Sequence, residues 1–162
     1  MLVTREADYA IRCVIEVARH GRISAAQVAA LQGISPTFLG KIVQSLAKAG
    51  ILATRRGVGG GIALAQPVEA ITLLQVIEAV EGPLVLNDCL TNPPQCGHID
   101  VCPAYSYLCE AQDNMRGILD VSFAEVIGQM PQQETELPVF AGFDGWSSNG
   151  GGSRAAKVGD AP

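Results

Sequence analysis

Four of the chain's five cysteines lie within one 21-residue window, and sulfur binds soft metals well. They are Cys89, Cys96, Cys102 and Cys109. Thiolates collected in a segment rich in proline and glycine suit a soft metal ion or an iron–sulfur cluster. The window contains no Cys-x-x-Cys pair, so the spacings typical of zinc fingers and ferredoxins are absent. The wide spacing therefore predicts a loop that wraps a centre larger than a single ion.

The other sulfur and imidazole groups are weaker candidates. Cys109 falls inside a predicted helix, where a buried free cysteine is common. Cys13 stands alone in the first predicted helix, and we expect it in the core. His98 lies inside the loop and is either a ligand or an exposed polar residue. The alternative for the whole window is a loop with incidental thiols.

A split in charge divides the chain. Residues 1–66 carry eight Lys and Arg against three acids, a net charge of +5. Residues 67–162 carry three basic residues against thirteen acids, a net charge of −10, which gives the total of −5. A basic first half on an acidic protein predicts a surface that faces a polyanion such as DNA.

Helical spacing and capping residues in the basic half predict a helix-turn-helix. Residues 7–18 repeat apolar side chains at helical spacing, a second helix follows Ser24, and a third begins at Ser35-Pro36. The third helix has an apolar stripe and, opposite it, polar side chains suited to phosphates and base edges. These candidate DNA contacts are Ser35, Thr37, Lys41, Gln44 and Lys48. The alternative is that they are ordinary solvated residues.

Two short apolar runs, residues 51–55 and 62–65, predict a β-hairpin with a basic, glycine-rich tip. Such a hairpin is the wing of a winged helix, and arginine suits a narrow minor groove. The candidate contacts are Arg55, Arg56, Gly57, Gly59 and Gly60. A nucleotide-binding loop is disfavoured because neither GxGxxG nor GxxxxGK[ST] occurs.

The predicted fold is mainly α with a small β-hairpin. Residues 1–82 form a winged helix-turn-helix, residues 83–103 a cysteine-bearing loop, and residues 104–129 a long helix with a short closing helix. The long helix begins near Pro103, and Ile118 lies on its inward side with the other apolar residues. Residues 130–162 have little periodicity and are predicted to be a disordered tail.

Composition restricts location and activity. No apolar run approaches the roughly 20 residues of a membrane span. Charged residues at positions 5, 6 and 8 leave no room for a signal peptide, so we expect a cytoplasmic protein without a membrane partner. No Ser/His/Asp or paired-carboxylate arrangement stands out, and only two histidines are present, so an enzyme is not indicated.

Three segments followed by the cysteine loop resemble the IscR/NsrR/CymR-type winged-helix transcriptional regulators. The segments are GISPTFL at 33–39, RRGVGGG at 55–61 and ITLLQVIEAVEG at 71–82. The resemblance covers residues 1–129. It implies a homodimer joined through the long helix, with each winged helix reading half of a palindromic operator in double-stranded DNA.

The resemblance also implies an iron–sulfur cluster held by Cys89, Cys96 and Cys102. In the IscR branch a histidine lies three residues after the third cysteine, where this chain has Tyr105. In the NsrR branch an aspartate early in the first helix of the other protomer completes a [4Fe-4S] cluster, and Asp8 occupies that place. A [4Fe-4S] cluster with Asp8 is therefore expected, and a [2Fe-2S] cluster is the alternative. The substitute ligands are Cys109, Glu6 and His98.

These features predict a transcriptional regulator that responds to redox state, nitric oxide or cluster availability. One alternative is a cluster-free repressor of the same fold, controlled by thiol oxidation, a metabolite or a protein partner. A second is an iron–sulfur electron-transfer or scaffold protein.

Overall fold

The structure, a computed structural model, describes residues 4–57 and 59–129. The predicted tail at 130–162 and Val58 in the wing lie outside the described residues. The first five elements are α1 (Arg5–His20), β1 (Arg22–Ile23), α2 (Ala25–Gln32), α3 (Pro36–Lys48) and β2 (Leu52–Arg55). They are followed by β3 (Gly61–Leu64), α4 (Leu73–Glu81), α5 (Tyr105–Leu119) and α6 (Phe123–Gly128).

Side-chain caps fix where five of the helices begin. In each case a hydroxyl accepts a hydrogen bond from a backbone N–H in the first turn, which satisfies one of the free donors there. The capping residues are Thr4, Ser24, Ser35, Thr72 and Ser122. The capping boxes at Ser24 and Thr72 are complete, because Gln27 and Gln75 return a bond to the cap backbone. The sequence predicted the helix starts at Ser24 and Ser35 and missed the cap at Thr4.

The sheet has three strands rather than the two predicted. Strand β3 lies in the centre and pairs antiparallel with β2 and with β1, in the order β1-β3-β2. Ile23 of β1 lies opposite Ile62 of β3. A two-residue strand has no alternation to detect, so β1 was not predictable from periodicity. It anchors the wing to the body of the molecule.

One core joins α1, α3, α4 and the sheet. Leu39, Ile42 and Leu46 of α3 are fully buried in it, as is Phe123 of α6. The backbone N–H of Phe123 donates to the carbonyl of Ile71 at 2.8 Å, so α6 returns to the winged helix. Among the described residues, no helix is both long and apolar enough to cross a lipid bilayer.

Residues 83–103 are irregular apart from two single-turn 3₁₀ helices, Asp88–Leu90 and Ile99–Val101. Helix α5 then begins at Tyr105, two residues later than predicted. Half-buried residues recur every three or four positions along one side of α5. They are Tyr105, Leu108, Cys109, Gln112, Met115, Arg116 and Leu119.

The predicted inward position of Ile118 is wrong, because this side chain is 75% exposed. Helix α5 carries two apolar stripes, and a single amphipathic period assigned Ile118 to the wrong one.

Candidate functional site

Helix α3 presents the polar face that the sequence predicted for DNA. Thr37, Lys41, Gln44 and Lys48 are exposed, whereas the opposite face is buried against α1 and α4. Ser35 is exposed and also caps the helix, since its Oγ accepts the N–H of Phe38 at 3.2 Å. The ring of Phe38 packs edge-on against Tyr9 of α1 with centroids 5.8 Å apart, which fixes the start of α3. The first turn of α3 is therefore packed against α1.

The wing is the turn between β2 and β3. Arg55, the last residue of β2, pairs with Gly61, and Arg56 follows it in the turn. Both arginines are exposed, so two guanidinium groups project near the tip. The arrangement suits phosphates or a narrow minor groove.

Two glycines of the wing, Gly57 and Gly60, occupy positions that other residues do not fit. A Cβ on Gly60 would collide with the backbone carbonyl groups of Arg55 and Gly57, and the Gly60 N–H donates to the Gly57 carbonyl at 2.8 Å. Gly57 itself has a φ of +96°, which L side chains rarely adopt. Glycine at these positions shapes the tip before any contact with DNA.

Arg22 is a basic residue that the sequence did not single out as a DNA contact. Strand β1 places its side chain beside Gly61, where a Cβ would lie 3.4 Å from its Cγ. Arg22 is exposed and extends the basic surface to the base of the wing. A shallow concavity lined by Thr54, Arg55 and Gly60 connects this surface to Val43 of α3. The recognition helix and the wing thus border one concave surface.

The cysteine loop folds back on itself beside α5. The backbone N–H of Gln95 donates to the carbonyl of Asp88 at 2.9 Å and closes the first part of the loop. Cys89, on the first 3₁₀ helix, is buried at 7% exposure, and that helix packs against α5. Cys96 and Cys102 are half-buried on the loop, and Cys109 is half-buried on α5.

Three polar side chains hold the beginning of this loop. Gln112 Oε1 accepts the backbone N–H of Leu86 at 3.0 Å. Arg116 donates to Glu78 Oε1 at 2.5 Å and to the carbonyl of Leu84 at 3.4 Å. Glu78 also accepts the N–H of Leu84 at 3.0 Å. The loop, α5 and α4 of the winged helix are therefore linked through one ion pair.

The thiols of Cys96, Cys102 and Cys109 lie close enough to Cys89 to affect its pKa. Burial raises the pKa of Cys89, its own backbone N–H opposes this, and the thiols of Cys96, Cys102 and Cys109 raise the pKa further. All five cysteines are free. Cys13 is a different case: it is fully buried in the core, as predicted, and burial together with Glu16 raises its pKa to about 12.

The remaining candidate ligands are scattered. Asp8 forms an ion pair with Arg12 at 3.0 Å on α1, and His98 is exposed at the start of the second 3₁₀ helix. Glu6 lies in the first turn of α1. Within residues 4–57 and 59–129 of one protomer, no group of three or more His, Cys, Asp or Glu side chains is arranged to hold a metal ion. The donor type nevertheless fits, because the thiolates of cysteines such as Cys89, Cys96 and Cys102 are the ligands that iron–sulfur clusters use.

Comparison with known proteins identifies the family. Residues 3–129 match the family described as Rrf2, iron-dependent transcriptional regulator. The chain belongs to the Rrf2 family. The match spans the winged helix, the cysteine loop and α5, and it confirms the resemblance to IscR- and CymR-type regulators. The chain is thus a DNA-binding transcriptional regulator, as its homologues are.

Curated relatives agree with the Rrf2 assignment. The protein aau3 of Rhizobium meliloti is 36% identical over 107 residues, which span 64% of this chain and 65%, just under two thirds, of that relative. The protein rrf2 of Nitratidesulfovibrio vulgaris is 32% identical over 63% of this chain and 70% of its own length. The transcriptional regulator IscR of Photorhabdus laumondii is 28% identical over 78% of this chain and 79% of its own.

Solved structures confirm the winged-helix fold. CymR, the global cysteine regulator of B. subtilis, superposes with a TM-score of 0.65 at 22% identity, over 80% of this chain and 98% of that chain. The IscR of T. potens superposes with a TM-score of 0.62 at 24% identity, over 81% of this chain and 93% of that chain.

Proposed function

We propose that this Rrf2-family regulator is a homodimer whose binding to a palindromic operator is controlled by an iron–sulfur cluster on Cys89, Cys96 and Cys102. The observation that carries the proposal is the position of the thiols. The loop that bears them is tied by Arg116 and Glu78 to both α5 and α4. A change at the sulfur atoms therefore has a short physical route to the DNA-binding half.

The donor chemistry supports an iron–sulfur cluster. When bound, such a cluster supplies a centre that reacts with oxidants and nitric oxide. Cys89, Cys96 and Cys102 lie on one loop, and the matching family is described as iron-dependent. A [4Fe-4S] cluster is favoured and [2Fe-2S] is the alternative, with Asp8 of a second protomer as the fourth ligand expected from the resemblance.

The outward stripe of α5 supports the proposed homodimer. Tyr107 and Ile118 are 73% and 75% exposed, and eleven positions, about three helical turns, separate them. Ala111 and Asn114 lie between them on the same exposed side. An apolar stripe of this spacing suits packing against the same helix of a second copy. A two-fold dimer presents two recognition helices, which fits operator half-sites about 34 Å apart.

In the bound complex, α3 would lie in the major groove and the wing would contact the neighbouring phosphates or minor groove. Lys41 and Lys48 contact phosphates, while Thr37 and Gln44 face base edges. The arginines of the wing add affinity that depends on salt.

A thiol switch without a cluster is the second candidate. CymR of Staphylococcus aureus in its oxidized form superposes with a TM-score of 0.63 at 24% identity, and Cys96, Cys102 and Cys109 are accessible enough to react. Reversible oxidation would join two thiols and release two electrons and two protons to a peroxide, which is reduced to water.

Anaerobic purification followed by iron and sulfide analysis distinguishes the two. About four iron and four sulfide per chain, with visible absorption, supports the cluster. A chain that stays colourless after reconstitution and forms a reversible disulfide with peroxide supports the thiol switch.

Selection of binding sites from random DNA should yield an inverted repeat, whereas an asymmetric single site would contradict the proposed dimer.

A further inference from the structure

One face of the three-stranded sheet points away from the core. The other face packs inward through Ile23 and Ile62, which lie opposite each other and are buried. Side chains alternate between the two faces along a strand, and residues directly opposite each other share a face. The strand pairing therefore defines the outer face. It consists of Arg22 on β1, Gly61 and Ala63 on β3, and Ala53 and Arg55 on β2.

The outer face is a strip of small residues bordered by two arginines. Arg22 and Arg55 lie on the two edge strands and are exposed, and the other three residues of the face are glycine or alanine. Neighbouring strands are about 4.8 Å apart, so the two edge strands are separated by about 10 Å. Two long guanidinium side chains can therefore reach one group that is placed between them.

The side chain of Arg22 runs toward the tip of the wing. Arg22 lies opposite Ala63, but a Cβ added to Gly61, two residues closer to the tip, would lie 3.4 Å from the Arg22 Cγ. Gly61 is the residue opposite Arg55. The stem of Arg22 therefore extends along β3 toward the level of Arg55. A Cβ at residue 61 would also lie 2.8 Å from the carbonyl oxygen of Ile23, so glycine keeps this path open.

The segment that builds the outer face carries no acidic residue. Residues 17–68, which include the whole sheet together with α2 and α3, contain neither Asp nor Glu. In the part of the chain that the structure describes, Arg22 and Arg55 form no ion pair. Two guanidinium groups without acidic partners on one open face suit a phosphate, because arginine donates paired hydrogen bonds to phosphate oxygens.

We propose that Arg22 and Arg55 together bind one backbone phosphate of each operator half-site over Gly61, as a phosphate clamp on the outer face of the sheet. The clamp rests on the contact between wing and DNA in the proposed function and extends it, because Arg22 lies outside both α3 and the wing turn. Phosphates are present in every DNA sequence, so the clamp adds affinity and fixes the position of the wing without reading bases.

Salt-dependent binding tests whether Arg22 contacts DNA. Wild type, Arg22→Ala, Arg22→Lys and the control Arg5→Ala are titrated on the selected operator and on a duplex of unrelated sequence, in the loaded or stripped form that binds more tightly. Arg5 is exposed too, but it lies beside the end of α4, because the neighbouring Thr4 hydrogen-bonds to Glu81.

We expect Arg22→Ala to weaken binding to both duplexes by roughly three- to tenfold. The slope of log affinity against log salt should fall by about one, since one phosphate contact is lost. Arg22→Lys keeps the charge and should keep the slope, and Arg5→Ala should match wild type.

Neutral phosphates in the operator test whether the two arginines share one site. Single methylphosphonate substitutions are placed along both strands, and the loss of affinity at each position is measured for wild type, Arg22→Ala, Arg55→Ala and the double variant. At one and the same phosphate of the half-site, the loss should be smaller in either single variant and absent in the double variant. Lys48→Ala, a change on α3, should leave the loss at that phosphate unchanged.

The outcomes separate the clamp from the function on which it rests. If Arg55→Ala weakens binding while Arg22→Ala matches wild type, the clamp is wrong and the wing interface stands. Effects at two different phosphates, or an equal loss of affinity in Arg5→Ala, would also overturn the clamp. If changing Arg55 and Arg56 together leaves binding unchanged, the wing is not at the interface and the clamp fails with it.

Far-UV circular dichroism shows whether each variant is folded. If Arg22→Ala does not fold, Arg22→Gln replaces it in both experiments, because glutamine keeps the Cβ and Cγ beside Gly61 and removes only the charge. The expected losses and the contradicting results are the same.

Discussion

The winged helix and the segment from residue 83 to 129 are built in different ways. The winged helix has a core in which side chains from α1, α3, α4 and the sheet are fully buried. Helix α5, which the structure describes in full, buries none of its 15 residues. It is held by Gln112, by the ion pair of Arg116 with Glu78 and by half-buried apolar contacts.

This difference separates a region that is stabilised by its own core from one that, in the proposed function, a second copy and a cluster would stabilise. Burial of apolar area is the main stabilising term in folding, and the winged helix obtains it within one chain. On α5 the side chains of Tyr107 and Ile118 are exposed, and the proposed dimer would bury them, while the proposed cluster would bind the free thiols of the loop. A part that gains stability from a partner and a ligand is suited to report on both.

The largest effect should come from a core leucine of the recognition helix. Leu39→Ala removes a fully buried side chain and should lower the free energy of unfolding by about 2–5 kcal/mol. Leu108→Ala on α5 is the matched control, and because Leu108 is only half-buried its cost should be about half as large or less. Urea unfolding of cluster-free protein measures both. Equal losses would contradict the contrast between the two regions.

The wing should contribute strongly to DNA affinity and not to sensing. Changing Arg55 and Arg56 together to alanine should weaken operator binding by roughly tenfold or more. The slope of log affinity against log salt should fall by about two. Glu69→Ala, an exposed acidic change outside this surface, serves as the control. The measurement is fluorescence anisotropy at several salt concentrations, and an unchanged slope would remove the wing from the interface.

The exposed stripe of α5 should control assembly. Ile118→Asp places a charge where two copies of α5 would meet, and we expect it to weaken the dimer by roughly tenfold or more. Asp113→Glu, an exposed change on α5 outside the stripe, is the control. Light scattering coupled to size exclusion reports the mass. A variant that stays dimeric at micromolar concentration would place the interface elsewhere.

The smallest effect should come from the ion pair that joins the two regions. Burial raises the pKa of Glu78, but the hydrogen bonds from Arg116 and from the Leu84 N–H outweigh it, so the pKa is lowered overall. A lowered folded-state pKa stabilises the protein above the unfolded pKa, and this contribution is lost as the pH falls through the folded value.

Glu78→Gln should therefore lower the free energy of unfolding of cluster-free protein by about 1 kcal/mol near neutral pH, since the pair is partly exposed. The difference from wild type should disappear once the pH falls below the ordinary range of a glutamate. Chemical unfolding across that range measures it. A difference that persists in acid would show that the substitution disturbs packing rather than charge.

The sequence predicted the winged helix well because the information there is local. Caps such as Ser24 and Ser35 act within one turn, and buried periodic positions such as Leu39 and Leu46 act within one helix. The glycine-rich wing was recognisable for the same reason. Strand β1 was missed because two residues carry no period and pair with a strand far along the chain.

The cysteine site was predictable in composition and not in geometry. Four cysteines in one window indicated the chemistry, but spacing could not show that Gln112 and Arg116 hold the loop against α5. Those contacts join positions about 26 and 32 residues apart and depend on how the loop turns. For the same reason Cys109 looked like a core residue from sequence, and Ile118 was assigned to the wrong side of its helix.

Operator affinity with and without the cluster tests the central claim most directly. One preparation of wild-type protein is titrated on a selected operator while loaded and again after anaerobic removal of the iron, with Cys96→Ala as a chain that cannot load. The account predicts at least a tenfold difference between the loaded and stripped protein, with Cys96→Ala matching the stripped form. Equal affinity in all three, with iron content verified, would contradict it.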